Sequence, residues 1–179
     1  MNFFEDYLER VNDHIQEVDP KLLQAAVQKF KETQKKGRKL IFVGNGGSAA
    51  IASHVAVDLT KTAGVRAINF NEADLLTCFA NDYGYEHWVE QALGFYADKG
   101  DLAVMISSSG KSKNILLGAD KAKKMGLDLI TFSGFSKDNP LRAMGSINFW
   151  VNSKSYNFVE MAHHVWLLAI VDKIVADSL

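Results

Sequence analysis

Apolar residues along this chain change their spacing near residue 39, and that change separates two kinds of element. Before it, Phe3, Phe4, Tyr7, Leu8, Val11 and Ile15 recur at the period of a helix face and predict a helix from Phe3 to about Glu17. Asp19-Pro20 opens a second helix, proline being suited to a first turn, with Leu22, Leu23, Ala26, Val27 and Phe30 as its apolar stripe. Beyond residue 39, short continuous apolar runs follow one another: Leu40–Val43, Ala67–Phe70, Leu102–Ile106, Leu129–Phe132 and Ile147–Val151. Each of the first four leads into a Gly-, Ser- or Asn-containing turn and then a helical pattern. Runs that are apolar on both faces belong to a parallel sheet covered by helices on both sides. A last long helix, from about Tyr156 to Ala176, carries Val159, Ala162, His163, Trp166, Leu167, Ile170 and Ile174. Its apolar face is wider than one sheet contact requires. With the aromatic-rich helices of residues 1–36, it predicts a surface buried between subunits. The expected fold is a three-layer, doubly wound α/β domain over residues 1–179, with five parallel strands preceded by two helices.

Composition narrows the function classes. A formal net charge of −1 gives no global basic field for nucleic acid or a membrane surface. Lys29, Lys31, Lys35, Lys36, Arg38 and Lys39 read as the solvated face and C-terminal end of the second helix, where cations suit the dipole. Glu5 and Asp6 stand where a secretory signal needs cations, and no run approaches the roughly 18 apolar residues of a membrane span. A soluble, cytoplasmic protein is expected. The single cysteine, Cys78, excludes an intramolecular disulfide and a cysteine metal cluster, and beside Leu75, Leu76 and Phe79 it reads as a small buried hydrophobe. Trp88, Trp150 and Trp166 read as packing anchors.

Two loops carry the candidate chemistry. The first strand runs into Gly44-Asn45-Gly46-Gly47-Ser48-Ala49-Ala50 and a helix. Glycines let backbone N–H groups close on an anion, and a helix N-terminus adds unpaired donors. The third strand ends in Ser107-Ser108-Ser109-Gly110-Lys111-Ser112-Lys113, again before a helix, and its hydroxyls complete a cup for phosphate. Two rival readings fit less well. Gly44-x-Gly46-x-x-Ala49 satisfies a loose dinucleotide fingerprint, with Glu72 as a ribose-binding acid, but leaves the serine loop without a role. Gly110-Lys111-Ser112 looks like the end of a P-loop, yet Met105 stands where that motif needs glycine.

Strand–GNGGSA–helix, then AND-x-G, then strand–SSSGKS–helix resembles the sugar isomerase (SIS) domain over nearly the whole chain. Within that family it is most similar to sedoheptulose 7-phosphate isomerases (phosphoheptose isomerases) and to their non-catalytic relative, the DnaA initiator-associating protein. The resemblance implies a sugar-phosphate ligand, with Asn45, Gly46, Gly47 and Ser48 on the first loop and Ser107, Ser108, Ser109 and Ser112 on the phosphate. It implies that Asp82 faces sugar hydroxyls, that Glu160 belongs to the site, and that subunits form a tetramer. Aldose–ketose isomerisation needs no nucleotide or flavin, only a base beside a carbonyl and a second proton carrier.

The family places a glutamate four residues after a histidine as that base, and the matching pair here is His54 and Asp58. Its last helix carries a Gln-Glu pair and a further histidine seven residues on. Here Val159 replaces the Gln and Leu167 the histidine, with His163 and His164 about one turn earlier. Asp58 is therefore the expected base, with His54 or His164 moving the second proton. Some family members hold zinc at these positions, and His54, Asp58 and His164 would be a reduced version of that site. The bland reading makes His163 and His164 an interface histidine and a solvent-facing one. The alternative to catalysis is a regulatory protein that binds a phosphosugar without turning it over.

Overall fold

The computed structural model describes residues 2–178. Two helices, α1 (Phe3–Gln16) and α2 (Pro20–Lys35), precede β1 (Leu40–Val43) and α3 (Gly47–Lys61). Then come β2 (Ala67–Asn69), α4 (Ala73–Tyr83), α5 (Trp88–Tyr96), β3 (Leu102–Ser107), α6 (Lys113–Lys124) and β4 (Asp128–Ser133). A 3-10 turn (Pro140–Ala143), β5 (Ile147–Trp150) and α7 (Tyr156–Ala176) complete the order. All strand pairs are parallel, in the order β2-β1-β3-β4-β5. The strand expectations hold to within a residue or so at each end.

Alternation within the strands feeds two cores. Leu40 and Phe42 of β1 pack with α2, α3 and α7 on one face, while Ile41 and Val43 pack with α5 and α6 on the other. The helix ends follow local chemistry: Asn2 and Glu5 form a capping box on α1, and the Asp19 side chain accepts from Lys21 N ahead of Pro20. Trp88 and Trp166 are buried, as expected of anchors.

Three expectations need correction. The fourth strand leads to a single 3-10 turn rather than a helix. There Asn139, buried, accepts from Arg142 N through its side chain and donates to Ser133 Oγ and the Gly134 and Ser136 carbonyls. A residue so engaged pins the connection before a helix can extend. Lys39 is not solvated: as the residue entering β1 it is buried, with Nζ 2.7 Å from Asp98 and 2.6 Å from Asp101. Cys78 is exposed, because α4 turns it outward beside Asp82. Among the described residues no helix is long and apolar enough to cross a membrane.

Candidate functional site

The sheet order reverses between β1 and β3, since β1 connects outward to β2 while β3 continues to β4. Ligands in open α/β sheets sit at such a switch point, beyond the carboxyl ends of the strands. There the two predicted loops meet around a cavity of about 340 Å³ lined by Asn45, Gly46, Gly47, Ser48, Ser107, Ser108, Ser109, Ser112 and Glu160. Ile106 and Tyr156 complete the wall. Both helices that open here, α3 and α6, begin without a side-chain cap. Their first N–H groups and positive dipole ends are thus left to an anion.

The cup is held by polar contacts within and between its loops. Ser107 Oγ donates to Ser112 Oγ at 3.2 Å, and Lys111 N donates to Ser109 Oγ at 3.2 Å. Asn45 Nδ2 donates to Asn114 Oδ1 at 3.0 Å, and Asn114 Nδ2 returns a bond to Asn45 Oδ1 at 2.8 Å. This reciprocal amide pair ties the first loop to the start of α6. Tyr85 Oη also donates to Asn45 Oδ1, at 3.3 Å. Sequence reasoning missed Asn114 and Tyr85; the only signal was a polar amide in the first turn of α6, where a helix gains nothing from it. A second cavity of about 650 Å³, lined in part by Tyr83, Tyr85, Glu86, His87 and Lys113, adjoins the first and shares Asn45 and Ser112 with it.

Two groups in the cup are unsettled electrostatically. The Ser108 hydroxyl is buried without a hydrogen-bond partner at proper geometry. Glu160 reaches in from α7 against Gly47, so closely that a Cβ on Gly47 would lie 2.2 Å from Glu160 Oε2. Burial pushes the Glu160 carboxyl above the ordinary range, and the neighbouring Ser108 hydroxyl draws it part of the way back.

The expected catalytic side chains come together on the seam where α3 and α7 touch. His54 Nδ1 lies 2.8 Å from His164 Nε2, and His54 Nε2 lies 3.2 Å from Asp58 Oδ2. The arrangement is satisfied when His54 donates through Nε2 to the carboxylate and accepts through Nδ1 from His164. Burial, then the proximity of His54, holds the His164 ring below the usual imidazole range, with Asp58 opposing in part. These three form a line, with both His54 nitrogens already engaged, rather than a set converging on one point. Among the described residues no group of three or more His, Cys, Asp or Glu is placed to hold a metal ion. The zinc arrangement implied by the resemblance is therefore not formed by these side chains as they stand.

The remaining site expectations fall differently. Asp82 sits exposed on α4, accepting from Asn81 Nδ2 at 2.9 Å, and does not line the cavity. His163 is no interface histidine: it is wholly buried within the protomer, where Nε2 donates to the Ser133 carbonyl at 3.0 Å. Burial lowers its pKa to about 4. His164 is no free surface histidine either, being bonded to His54. Val159 and Leu167, at the positions of the missing Gln and His, are fully buried in the core.

The SIS domain family matches residues 3–134. The phosphoheptose isomerase of Campylobacter concisus is 39% identical over 120 residues, covering 63% of this chain and 62% of that protein. The matched stretch thus spans less than two thirds of that relative. The phosphoheptose isomerase of Fusobacterium nucleatum is 30% identical over 163 residues, covering 88% of this chain and 83% of that protein. The structure of a phosphoheptose isomerase from Neisseria gonorrhoeae superposes with a TM-score of 0.87 at 23% identity, covering 98% of this chain and 96% of that one.

Proposed function

The chain belongs to the SIS domain family, and from that premise we propose that it is a sugar-phosphate isomerase interconverting an aldose and a ketose, with sedoheptulose 7-phosphate or a close relative as substrate. The observation that carries the proposal is the cup itself. Two uncapped helix N-termini and a buried, unpartnered Ser108 hydroxyl face one cavity at the switch point of the sheet. Donors left open in that way fit a phosphate monoester.

In this reading Asn45, Gly46, Gly47, Ser48, Ser107, Ser108, Ser109 and Ser112 hold the phosphate end. Asp58 takes the proton from the carbon beside the carbonyl, leaving an enediol, and returns it to the neighbouring carbon. His54, bonded to both Asp58 and His164, moves the second proton between the two oxygens. His54 lies seven residues along α3 from Gly47, or about 10 Å at the rise of a helix. A phosphate held in the cup therefore sits far from the proton-transfer groups, which favours a long sugar over a triose. No step passes through a metal. The protein is read as a tetramer whose contacts include residues 1–36, and as cytoplasmic, where an exposed thiol such as Cys78 stays reduced.

The test is an isomerase assay with sedoheptulose 7-phosphate. The expected result is turnover that falls about 10²- to 10⁴-fold in Asp58→Asn, the range of a lost general base. Substrate affinity should stay within a few-fold. Binding without turnover by the unaltered protein would replace this reading with the non-catalytic one, and turnover that survives Asp58→Asn would remove Asp58 from its role.

A further inference from the structure

A doubly charged ligand is expected in a cavity that offers it no cation. Among the described residues, the only ionisable side chains lining the cup are the acid Glu160 and the phenol of Tyr156. The lysines of the serine loop turn elsewhere: Lys111 is exposed outside the cavity, and Lys113 pairs with Glu86 Oε2 at 3.3 Å over the neighbouring hollow. The two helix N-termini supply about half a positive charge each. That sum is too little for a phosphate dianion and a carboxylate together at contact distances in a partly desolvated site.

Glu160 is set at the wall of the cup by its place on α7. Its carboxyl rests on Gly47, and the groups facing it are known from each packed element. From α3 it is the Gly47 backbone; from the β3 loop, Ser108; on α7 itself, Tyr156 one turn earlier, on the same cavity wall. No lysine or arginine is among them.

We propose that Glu160 receives the phosphate ester as a neutral carboxylic acid, so that ligand capture draws a proton from solvent. The proton goes to a Glu160 oxygen, which then donates a hydrogen bond where an anion would repel the ligand. No covalent bond forms or breaks. Binding is thereby coupled to pH above the range in which the ester itself titrates. The inference rests on the phosphosugar reading of the cup. The carboxyl's upward displacement by burial, seen without ligand, runs in the same direction.

Titration calorimetry in two buffers of different ionisation enthalpy, at pH 7.5 to 8.5, measures the proton directly. A phosphate ester with a second pKa near 6 is already a dianion there. The probes are sedoheptulose 7-phosphate and, independently, ribose 5-phosphate. The expected result is uptake of about one proton by the unaltered protein, with affinity falling about tenfold per pH unit. In Glu160→Gln the uptake should vanish and the affinity should become flat with pH. No uptake by the unaltered protein overturns the proposal without needing the variant to fold. Equal uptake by Glu160→Gln also overturns it, since the proton would then sit on the ester or another group. If neither sugar phosphate binds either protein, the phosphosugar reading itself falls and takes this inference with it.

Discussion

At the scale of single residues, two glycines of the cup serve opposite ends and predict opposite outcomes. Gly110 has φ +64°, and a Cβ there would lie 1.9 Å from Oδ1 of Asn139. Asn139 is buried and held by four hydrogen bonds, so it cannot yield. Gly110→Ala should cost about 2–4 kcal/mol in thermal or denaturant unfolding. Gly47 meets only the far end of the Glu160 side chain, which can swing. Gly47→Ala should therefore change stability by less than about 1 kcal/mol, yet weaken sugar-phosphate binding by displacing the carboxyl into the cup. His163 gives a pH signature. With its pKa lowered to about 4 from an ordinary 6.5, the ring is neutral when folded. Its contribution is fully present above pH 6.5 and is lost as pH falls toward 4, about 3 kcal/mol across that window. Unfolding midpoints measured from pH 7 to 4 should fall less steeply in His163→Gln, which keeps an N–H donor but cannot titrate. The sequence set His163 on the apolar face of the last helix and left His164 for chemistry, but could not show that His163 meets the sheet rather than a second subunit. On a helix, neighbours point about 100° apart, and which one meets the sheet depends on the packing of α7.

Among the elements, the strands were legible because continuous apolar runs admit few other readings. The cup was legible because Gly- and Ser-rich loops at strand ends carry their chemistry in the residue types themselves. What escaped was contact between distant segments: the Asn45–Asn114 amide pair, and the ion cluster below the sheet. Lys39 was grouped with the cations of α2 by proximity in sequence, yet it immediately precedes β1 and lies between Asp98 and Asp101 before β3. Burial draws its ammonium down, but hydrogen bonds and charge from Asp101 and Asp98 outweigh that and leave it above its ordinary value. Asp101, 1% exposed, also accepts from Lys39 N at 3.0 Å and Asp98 N at 2.8 Å, fixing the entry of both strands. Asp101→Ala removes the buried partner of Lys39 and the acceptor of two backbone N–H groups, leaving the lysine only the exposed Asp98, and should cost about 3–5 kcal/mol in denaturant unfolding. Asp98, whose side chain is 67% exposed, should lose far less stability when replaced by alanine, because solvent screens its pairing. Equal losses at both positions would mean that burial does not set the hierarchy.

For the whole molecule, the open question is what covers the apolar residues that the protomer leaves in solvent. Helix α1 has no buried residue: Tyr7 packs on Phe158 of α7, while Phe3, Phe4 and Leu8 are 71%, 73% and 66% exposed. Val57 on α3 and Met161 and Val165 on α7 are exposed as well, on the two helices that carry the His54–His164 seam. Burying a large apolar side chain contributes on the order of 2 kcal/mol, and a two-fold interface counts each one twice. That sum predicts contact between copies through α1, which would close around the seam that the proposed chemistry uses. The double substitution Phe4→Glu with Leu8→Glu removes apolar surface without touching either core. Sedimentation velocity should then show a smaller assembly than the unaltered protein, with an unchanged circular dichroism spectrum. Turnover of sedoheptulose 7-phosphate should fall with the assembly if a neighbouring copy completes the site. An unchanged mass would place the subunit contacts away from α1, and full activity in a dissociated protein would make one protomer's cup and seam sufficient by themselves.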